Sequence, residues 1–157
     1  VYMLGAEGNL TALDATSGKV SWTKSLKDAY KVESPIWGFC SHPLVDDGIV
    51  YVTVGGEGSV AVALKAETGE EVWRSLSAAE PGYAPASIVE VGGTRLLIIW
   101  HAEAVNGLDP KTGKVYWSVP LKPNYGMSIM APQRAGNRLF AGGIGVSLLL
   151  ELAENQP

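Results

Sequence analysis

Short apolar runs, each bounded by Gly, Asp or Pro, follow one another along the whole chain. They are rich in Val, Ile, Leu and Tyr, which is typical of β-strands, and they lack the i, i+3, i+4, i+7 spacing of an amphipathic helix. The runs predict strands in four groups: 1–4, 9–13 and 19–23; 42–45, 49–54, 59–64 and 70–74; 87–91, 94–100, 104–108 and 114–119; 130–133, 138–141 and 146–150.

The strands differ in how they distribute apolar residues between their two faces. Segments 49–54 and 94–100 are apolar on both faces, which requires that both faces be covered. Segment 114–119 alternates, with Val115 and Trp117 on one face and Lys114 and Tyr116 on the other, as in an exposed outer strand. This pattern predicts antiparallel meanders of four strands whose sheets stack on one another.

One phrase occurs three times, as ALDATSGKVSW at 12–22, ALKAETGEEVW at 63–73 and GLDPKTGKVYW at 107–117. In each copy a Trp follows the turn glycine by four residues, and the three glycines are 51 and 44 residues apart. Repeats of about 40 to 50 residues occur in β-propeller blades and in helical arrays. The strand pattern favours the propeller.

We therefore predict an all-β protein, a β-propeller built of four-stranded antiparallel blades. Two blades are complete, at 41–76 and 84–120, and two are incomplete, at 1–26 and 127–157. Closed propellers have about four to eight blades. The ring is expected to be completed by the remainder of a longer chain or, as the alternative, by a second copy of this one.

The repeated phrase also contains residues that favour a tight turn. Asp14 and Asp109 follow predicted strands, where an aspartate side chain accepts backbone hydrogen bonds and starts a turn. Lys65 stands at the same place in the second copy, which puts that hydrogen bond in doubt. The turn glycines occupy the place where a tight loop needs a positive φ.

These motifs resemble the repeat AxDxxTGxxxW of the pyrroloquinoline quinone (PQQ)-like β-propeller family, over essentially the whole chain. In that family each Trp stacks on the turn peptide of a neighbouring blade. The resemblance implies that Trp22, Trp73 and Trp117 are docking residues and that Gly18, Gly69 and Gly113 lie in the receiving turns. Small departures are Ser17 for Thr, Lys65 for Asp and Gly107 for Ala, and the fourth copy has Ala153 where Asp belongs.

The resemblance does not by itself imply a cofactor. The quinone-dependent dehydrogenases of that family use a pair of adjacent cysteines, a calcium site with a catalytic Asp and a Trp beneath the quinone. Cys40 is the single cysteine in this chain. Asp46 and Asp47 precede Gly48, which indicates a hairpin turn in preference to a metal site. We expect no cofactor, and we expect Cys40 to be a small buried hydrophobic residue.

The segment 37–43, WGFCSHP, is the most unusual in composition and contains Trp37, Phe39 and His42. It precedes an innermost strand and would face the mouth of the central channel. At a spacing of 44 residues, Tyr83 and Met127 are equivalent to Phe39, which suggests an apolar ring near the axis. The alternative is that these residues pack between blades.

His101 and Glu103 are the remaining chemical candidates. A His and a Glu two residues apart form an acid/base pair if they face one substrate, because His titrates near neutrality. The alternative interpretation is a hydrogen-bonded turn between two strands.

Charge and hydropathy restrict the partners. A net charge of −4, a pI near 5.1 and scattered lysines argue against binding to a nucleic acid backbone. The longest uncharged stretch, 139–150, is shorter than the roughly 18 residues of a membrane span, so no transmembrane segment is expected.

We therefore expect a noncatalytic propeller segment in an extracytoplasmic protein, either periplasmic or secreted. It would be a scaffold or would bind a protein or a small molecule at one propeller face. The alternatives are a segment of a quinone-dependent oxidoreductase whose catalytic residues lie outside this chain, and a sugar- or polymer-processing propeller.

Overall fold

The structure is a computed structural model that describes residues 1–153. Within them the strands are β1 Tyr2–Leu4, β2 Asn9–Leu13, β3 Val20–Ser25, β4 Leu44–Asp46, β5 Ile49–Thr53, β6 Ala61–Lys65, β7 Glu71–Ser75, β8 Ser87–Val91, β9 Thr94–Trp100, β10 Ala104–Leu108, β11 Val115–Pro120, β12 Gln133–Ala135, β13 Arg138–Gly143 and β14 Val146–Glu151. A short helix, α1, spans Leu26–Tyr30, and a 3-10 turn spans Asn124–Gly126.

The strands form four antiparallel sheets in sequence order. Two sheets have four strands, β4-β5-β6-β7 and β8-β9-β10-β11, and two have three strands, β1-β2-β3 and β12-β13-β14. The predicted all-β architecture of a partial propeller, with two full and two incomplete blades, is confirmed. The end of the predicted fourth blade, residues 154–157, lies outside the described residues. We call the sheets blades 1 to 4 in chain order.

The hydrophobic core lies between consecutive blades. Three clusters of buried residues fill the three spaces, and each cluster draws side chains from both flanking sheets. They include Leu10, Val52 and Leu64 between blades 1 and 2; Tyr51, Leu97 and Leu108 between blades 2 and 3; Leu96, Val105 and Leu139 between blades 3 and 4. The second strands β5 and β9 are buried because a neighbouring sheet covers each of their faces.

The third and fourth strands of three blades share one irregularity. Their register shifts between Ala12 and Leu13, between Ala63 and Leu64, and between Gly107 and Leu108. A bulge bends and twists its strand. In each of the three blades it lies next to a cross-strand pair of a Trp and a small residue, Ala12–Trp22, Ala63–Trp73 and Gly107–Trp117.

The structure differs from the prediction in one helix and in several strand bounds, among them those of β4, β6 and β12. Helix α1 was not predicted; Ser25 caps it by accepting a hydrogen bond from the Asp28 amide at 3.3 Å. Strand β4 begins two residues later than predicted, after Pro43, and β12 lies at Gln133–Ala135 rather than 130–133, after Pro132. Proline has no amide to donate to a ladder, so each of these strands starts immediately after one.

Candidate functional site

Trp22 of blade 1 lies against the turn between the last two strands of blade 2. Its indole Nε1 donates a hydrogen bond to the Ala66 carbonyl at 3.0 Å. A Cβ atom built on Gly69 would lie 2.9 Å from Cε3 of the indole. The ring thus occupies the space that any side chain at Gly69 would need.

Trp73 repeats this arrangement one blade further on. Its Nε1 donates to the Pro110 carbonyl of blade 3 at 3.0 Å, and a Cβ on Gly113 would lie 2.5 Å from its Cε3. Trp73 is buried, whereas Trp22 is half-buried. The same interaction therefore joins blade 1 to blade 2 and blade 2 to blade 3.

A tyrosine reinforces each of these two contacts. The hydroxyl of Tyr2 donates to the Ala66 carbonyl at 2.9 Å, and that of Tyr51 donates to the Pro110 carbonyl at 3.1 Å. Burial, with a smaller contribution from the Asp46 charge, raises the pKa of Tyr51 to about 12. The sequence analysis missed these tyrosines, although each lies opposite the small residue that opens a copy of the repeated phrase.

Trp117 and Gly18 have different surroundings. Trp117 lies opposite Gly107 on the neighbouring strand, and a Cβ atom at Gly107 would collide with the indole. Gly in place of the Ala of the family repeat therefore leaves room for the ring. No described atom lies within 4 Å of a Cβ built on Gly18. The structure thus brings two of the three predicted Trp–Gly sets together between blades.

The predicted aspartates start the turns of the first and third copies of the repeated phrase. Asp14 Oδ1 accepts hydrogen bonds from the amides of Thr16 and Ser17 and from the Ser17 hydroxyl, and that hydroxyl contributes most to the lowered pKa of Asp14. Asp109 Oδ1 accepts from the Lys111 amide at 2.8 Å. In the second turn Lys65 makes no such bond and instead pairs with Glu70 at 2.7 Å.

The predicted channel-mouth residues divide into buried and exposed groups. Phe39 and Tyr83 are only 4% and 6% exposed, and Phe39 packs in the core between blades 1 and 2. Met127 is half-buried, and His42 and Trp37 are exposed. Cys40 is also exposed, with its thiol donating to the Trp37 carbonyl at 2.9 Å, so the prediction that it is buried was wrong. Its chain segment is a surface loop, not a strand.

His101 and Glu103 lie in the turn between β9 and β10. The His101 ring is buried, and its Nδ1 accepts a hydrogen bond from the Glu103 amide at 3.2 Å. Burial lowers the pKa of His101, and the Glu103 charge opposes that shift. The Glu103 side chain points to the surface. A neutral, buried imidazole that already accepts a backbone amide is suited to holding the turn.

Asp46 forms an ion pair between two blades. Asp46 of blade 2 accepts from the guanidinium of Arg95 of blade 3, with both carboxylate oxygens at 2.8 Å. Within residues 1–153, no group of three or more His, Cys, Asp or Glu side chains is arranged to hold a metal ion. In the same part of the chain, no helix has the length and apolar character needed to cross a bilayer.

One cavity of about 580 Å³ lies apart from the turns that Trp22 and Trp73 contact. Successive strands of a meander run in opposite directions, so the turns that carry the Trp contacts lie at one end of the blades and the connections between blades at the other. The cavity opens at the second end, which we call the loop face. The residues of this loop-face pocket include Ile36, Trp37, Glu80, Glu103, Lys122 and Tyr125.

The apolar side chains of this pocket are unusually open to solvent. Ile36, Trp37 and Tyr125 are 83%, 63% and 88% exposed. Tyr125 has φ 60° and ψ 22°, a left-handed conformation that costs a non-glycine residue on the order of 1 kcal/mol. Of the residues named as candidates from sequence, only Trp37 and Glu103 line the pocket. Ile36, Glu80, Lys122 and Tyr125 lie in connections that do not repeat, so no periodic signal marked them.

Four stacked meander sheets, with an indole of blade 1 on a turn of blade 2 and an indole of blade 2 on a turn of blade 3, define the chain as part of a PQQ-like β-propeller. The family model described as outer membrane protein assembly factor BamB matches residues 1–154, and the chain belongs to this family.

Solved structures show the same fold at low sequence identity. BamB from Moraxella catarrhalis is 18% identical with a TM-score of 0.68, and the match covers 96% of this chain and 42% of that one. The C-terminal domain of PilY1 from Pseudomonas aeruginosa is 15% identical with a TM-score of 0.70, covering 97% and 38%. Quinohemoprotein alcohol dehydrogenase from Comamonas testosteroni is 20% identical with a TM-score of 0.58, covering 78% and 19%.

This chain therefore spans about two fifths of the length of the first two structures. A comparison with curated proteins gives no match.

Proposed function

We propose that this chain is a noncatalytic β-propeller segment, a rigid scaffold that offers its loop face to a partner. The observation that carries the proposal is the group of three exposed apolar side chains, Ile36, Trp37 and Tyr125, around one pocket. Exposed apolar groups with a polar rim mark interaction surfaces. An open face suits a protein partner better than an enclosed small molecule.

The chemistry of the other candidates supports a noncatalytic role. His101 is buried and uses Nδ1 to accept the amide of Glu103, and Asp46 is bound by Arg95. Neither group is free to act on a bound molecule as a base or as a metal ligand.

As a scaffold, the protein would hold its blades together through the residues of the repeated phrase. Trp22 and Trp73 would clamp each blade to the turn of the next, at Gly69 and Gly113, and Trp117 and Gly18 would play the same parts toward blades beyond this segment. The supporting observations are the hydrogen bonds to Ala66 and Pro110 and the lack of space for side chains at Gly69 and Gly113. In this proposal the blades are the units 1–26, 41–76, 84–120 and 127–157.

We also infer that the protein works outside the cytoplasm and that the ring is completed by further residues of a longer chain or by a second copy. The family description, an outer membrane protein assembly factor, supports the location. The share of the BamB and PilY1 structures that this chain spans supports a longer protein.

The alternative is a segment of a quinone-dependent oxidoreductase, favoured only by the fold it shares with the quinohemoprotein alcohol dehydrogenase. Addition of PQQ and calcium to the longest available form of the protein, followed by dye reduction with alcohols, tests it. Alcohol-dependent reduction would overturn the noncatalytic proposal.

Photo-crosslinking tests the loop face directly. Benzoylphenylalanine is placed at Tyr125 in one variant and at Tyr116, on outer strand β11, in the control. We expect the Tyr125 variant to form one adduct whose protein can be identified and purified, and Trp37→Ala to weaken binding of that protein by about tenfold or more, as for a central interface aromatic. Equal labelling from both positions, or none from Tyr125, would contradict the proposal.

A further inference from the structure

We propose that the loop-face pocket receives an arginine side chain presented by a loop or extended segment of a partner protein. The guanidinium would lie against the rings of Trp37 and Tyr125 and pair with the carboxylates of Glu80 and Glu103. This inference rests on the proposed function of the loop face and adds the chemistry of what the pocket recognises.

The pocket holds carboxylates that have no internal counter-ion. Within residues 1–153 the ion pairs are Lys27–Glu7, Lys65–Glu70, Arg74–Glu71 and Arg95–Asp46. None of them involves Glu80, Glu103 or Lys122, the three charged residues at the pocket. Two carboxylates against one ammonium give the rim a net negative charge, which complements a cation.

One carboxylate is also placed by the backbone. A Cβ atom built on Gly126 would lie 2.9 Å from Glu80 Oε2 and 3.4 Å from the Cβ of Ala102. Glu80 therefore lies over the peptide that follows Tyr125 and beside the turn that carries Glu103. This arrangement brings Glu80, from the connection between blades 2 and 3, and Glu103, from the β9–β10 turn within blade 3, to the same pocket.

The aromatic rings favour arginine over lysine. A guanidinium is flat, weakly hydrated and able to stack on an aromatic face while donating two parallel hydrogen bonds to a carboxylate. Trp37 and Tyr125 offer faces that other parts of the chain leave open, and Ile36 adds an apolar wall for the methylene stem. The Tyr125 ring is almost fully exposed and is therefore accessible to a bound side chain.

The same lining argues for a protein segment rather than a glycan. Sugars need several neutral donors and acceptors around the stacking ring, and the side chains of the pocket supply only an indole N–H and a phenol besides its charged groups. Trp and Tyr at the centre with a charged rim is the composition of protein interfaces.

Peptide titrations of the 15N-labelled chain test the inference. The probes are the pentapeptide acetyl-Ala-Leu-Arg-Leu-Ala-amide and two versions with Lys or with citrulline, the neutral isostere of arginine, at the centre. We expect shifts at the Trp37 indole and at the Ala102 and Gly126 amides, with the Lys peptide about threefold and the citrulline peptide about tenfold weaker. Glu80→Gln and Glu103→Gln should each weaken the Arg peptide about threefold or more.

Glu57→Gln is the matched control, because Glu57 is an exposed carboxylate in the β5–β6 turn of the same face and lies outside the pocket. It should leave affinity unchanged. Unaltered 15N spectra away from the pocket establish that each variant is folded.

Several outcomes would overturn the inference. These are equal binding of the Arg and citrulline peptides, shifts located away from the pocket, or an equal effect of Glu57→Gln. Binding of maltohexaose at Trp37 that Glu80→Gln does not change would assign the pocket to a glycan instead. If the Arg peptide fails while the Tyr125 adduct persists, the arginine inference is wrong and the loop-face function stands. Failure of both removes the loop-face function as well.

Discussion

The indole of Trp22 fills the space above Gly69 of the next blade, at the distance where a Cβ atom would collide with it. Gly18, in the equivalent turn of blade 1, has the same left-handed backbone and no described neighbour within 4 Å of a Cβ. Gly69 is also buried and its carbonyl accepts a hydrogen bond from Lys24 Nζ at 3.0 Å, whereas Gly18 is exposed.

This pair gives the first prediction. Gly18→Ala and Gly69→Ala pay the same backbone cost, because φ is 69° and 71°. Gly69→Ala should in addition displace the indole and lower the free energy of unfolding by about 1 to 3 kcal/mol more than Gly18→Ala. Urea unfolding of both variants measures the difference. Equal losses would show that the indole contact contributes nothing to blade packing.

The shared Pro110 carbonyl gives the second prediction. Tyr51→Phe and Trp73→Phe each remove one of its two hydrogen bonds, and each loss should include about 1 kcal/mol from the hydrogen bond. In the double variant the buried carbonyl has neither donor, so the combined loss should exceed the sum of the two by about 0.5 to 1 kcal/mol. A double-mutant cycle by chemical denaturation measures this coupling.

Tyr2 and Trp22, which share the Ala66 carbonyl, form the matched control cycle. Ala66 is half-buried and water can replace a lost donor there, so its coupling should be smaller. Additive losses at Pro110 would refute the shared-acceptor argument.

The third prediction concerns pH. The pKa of His101 is lowered in the folded protein from its ordinary value of 6.5, so the unfolded chain takes up the proton first as the pH falls. The stability due to the neutral ring is present above pH 6.5 and is lost as the pH falls from there through the folded pKa. His101→Gln should flatten this part of the stability profile.

Denaturation at intervals from neutral to acidic pH checks it, with the exposed His42→Gln as the control variant. An unchanged slope in His101→Gln would mean that another group causes the acid destabilisation.

The fourth prediction concerns strain at Tyr125. Asparagine tolerates the left-handed conformation, and the exposed phenol ring contributes little to packing. Tyr125→Asn should therefore stabilise the fold by about 0.5 to 1 kcal/mol while weakening loop-face binding. Lys31→Asn, at the left-handed cap of α1, is the control that should relieve strain and leave binding unchanged. Destabilisation by Tyr125→Asn would show that the ring packs within the fold.

The blades could be predicted because their strands and turns are determined by local sequence patterns. The four-strand units, with β5 and β9, were predicted from the apolar pattern of the strands, the turn glycines and the recurrence of one phrase. These signals recur because each blade packs against its neighbours in a similar way. Helix α1 was not predicted because it occurs in one connection and does not repeat. Its sequence signal was Ser25, three residues before Asp28. The helix accounts for part of the longer interval between the first two turn glycines.

The loop-face pocket was not predictable in this way. Trp37, Glu80 and the pair Lys122 and Tyr125 come from three different connections between blades, whose sequences differ, and only the stacking of the blades brings them to one pocket. Whether Cys40 or Phe39 is buried likewise depends on where a loop crosses a neighbouring blade. Phe39 packs over Gly8, whereas the thiol one residue later faces outward.

Blade 2 carries both partners of the Trp–glycine contact, because its turn at Gly69 receives Trp22 of blade 1 and its own Trp73 lies on the turn of blade 3. Duplicating the repeat of blade 2 in the gene would therefore keep a Trp–glycine contact at each of its interfaces. An insertion of this kind would lengthen the array by one blade without a new type of contact.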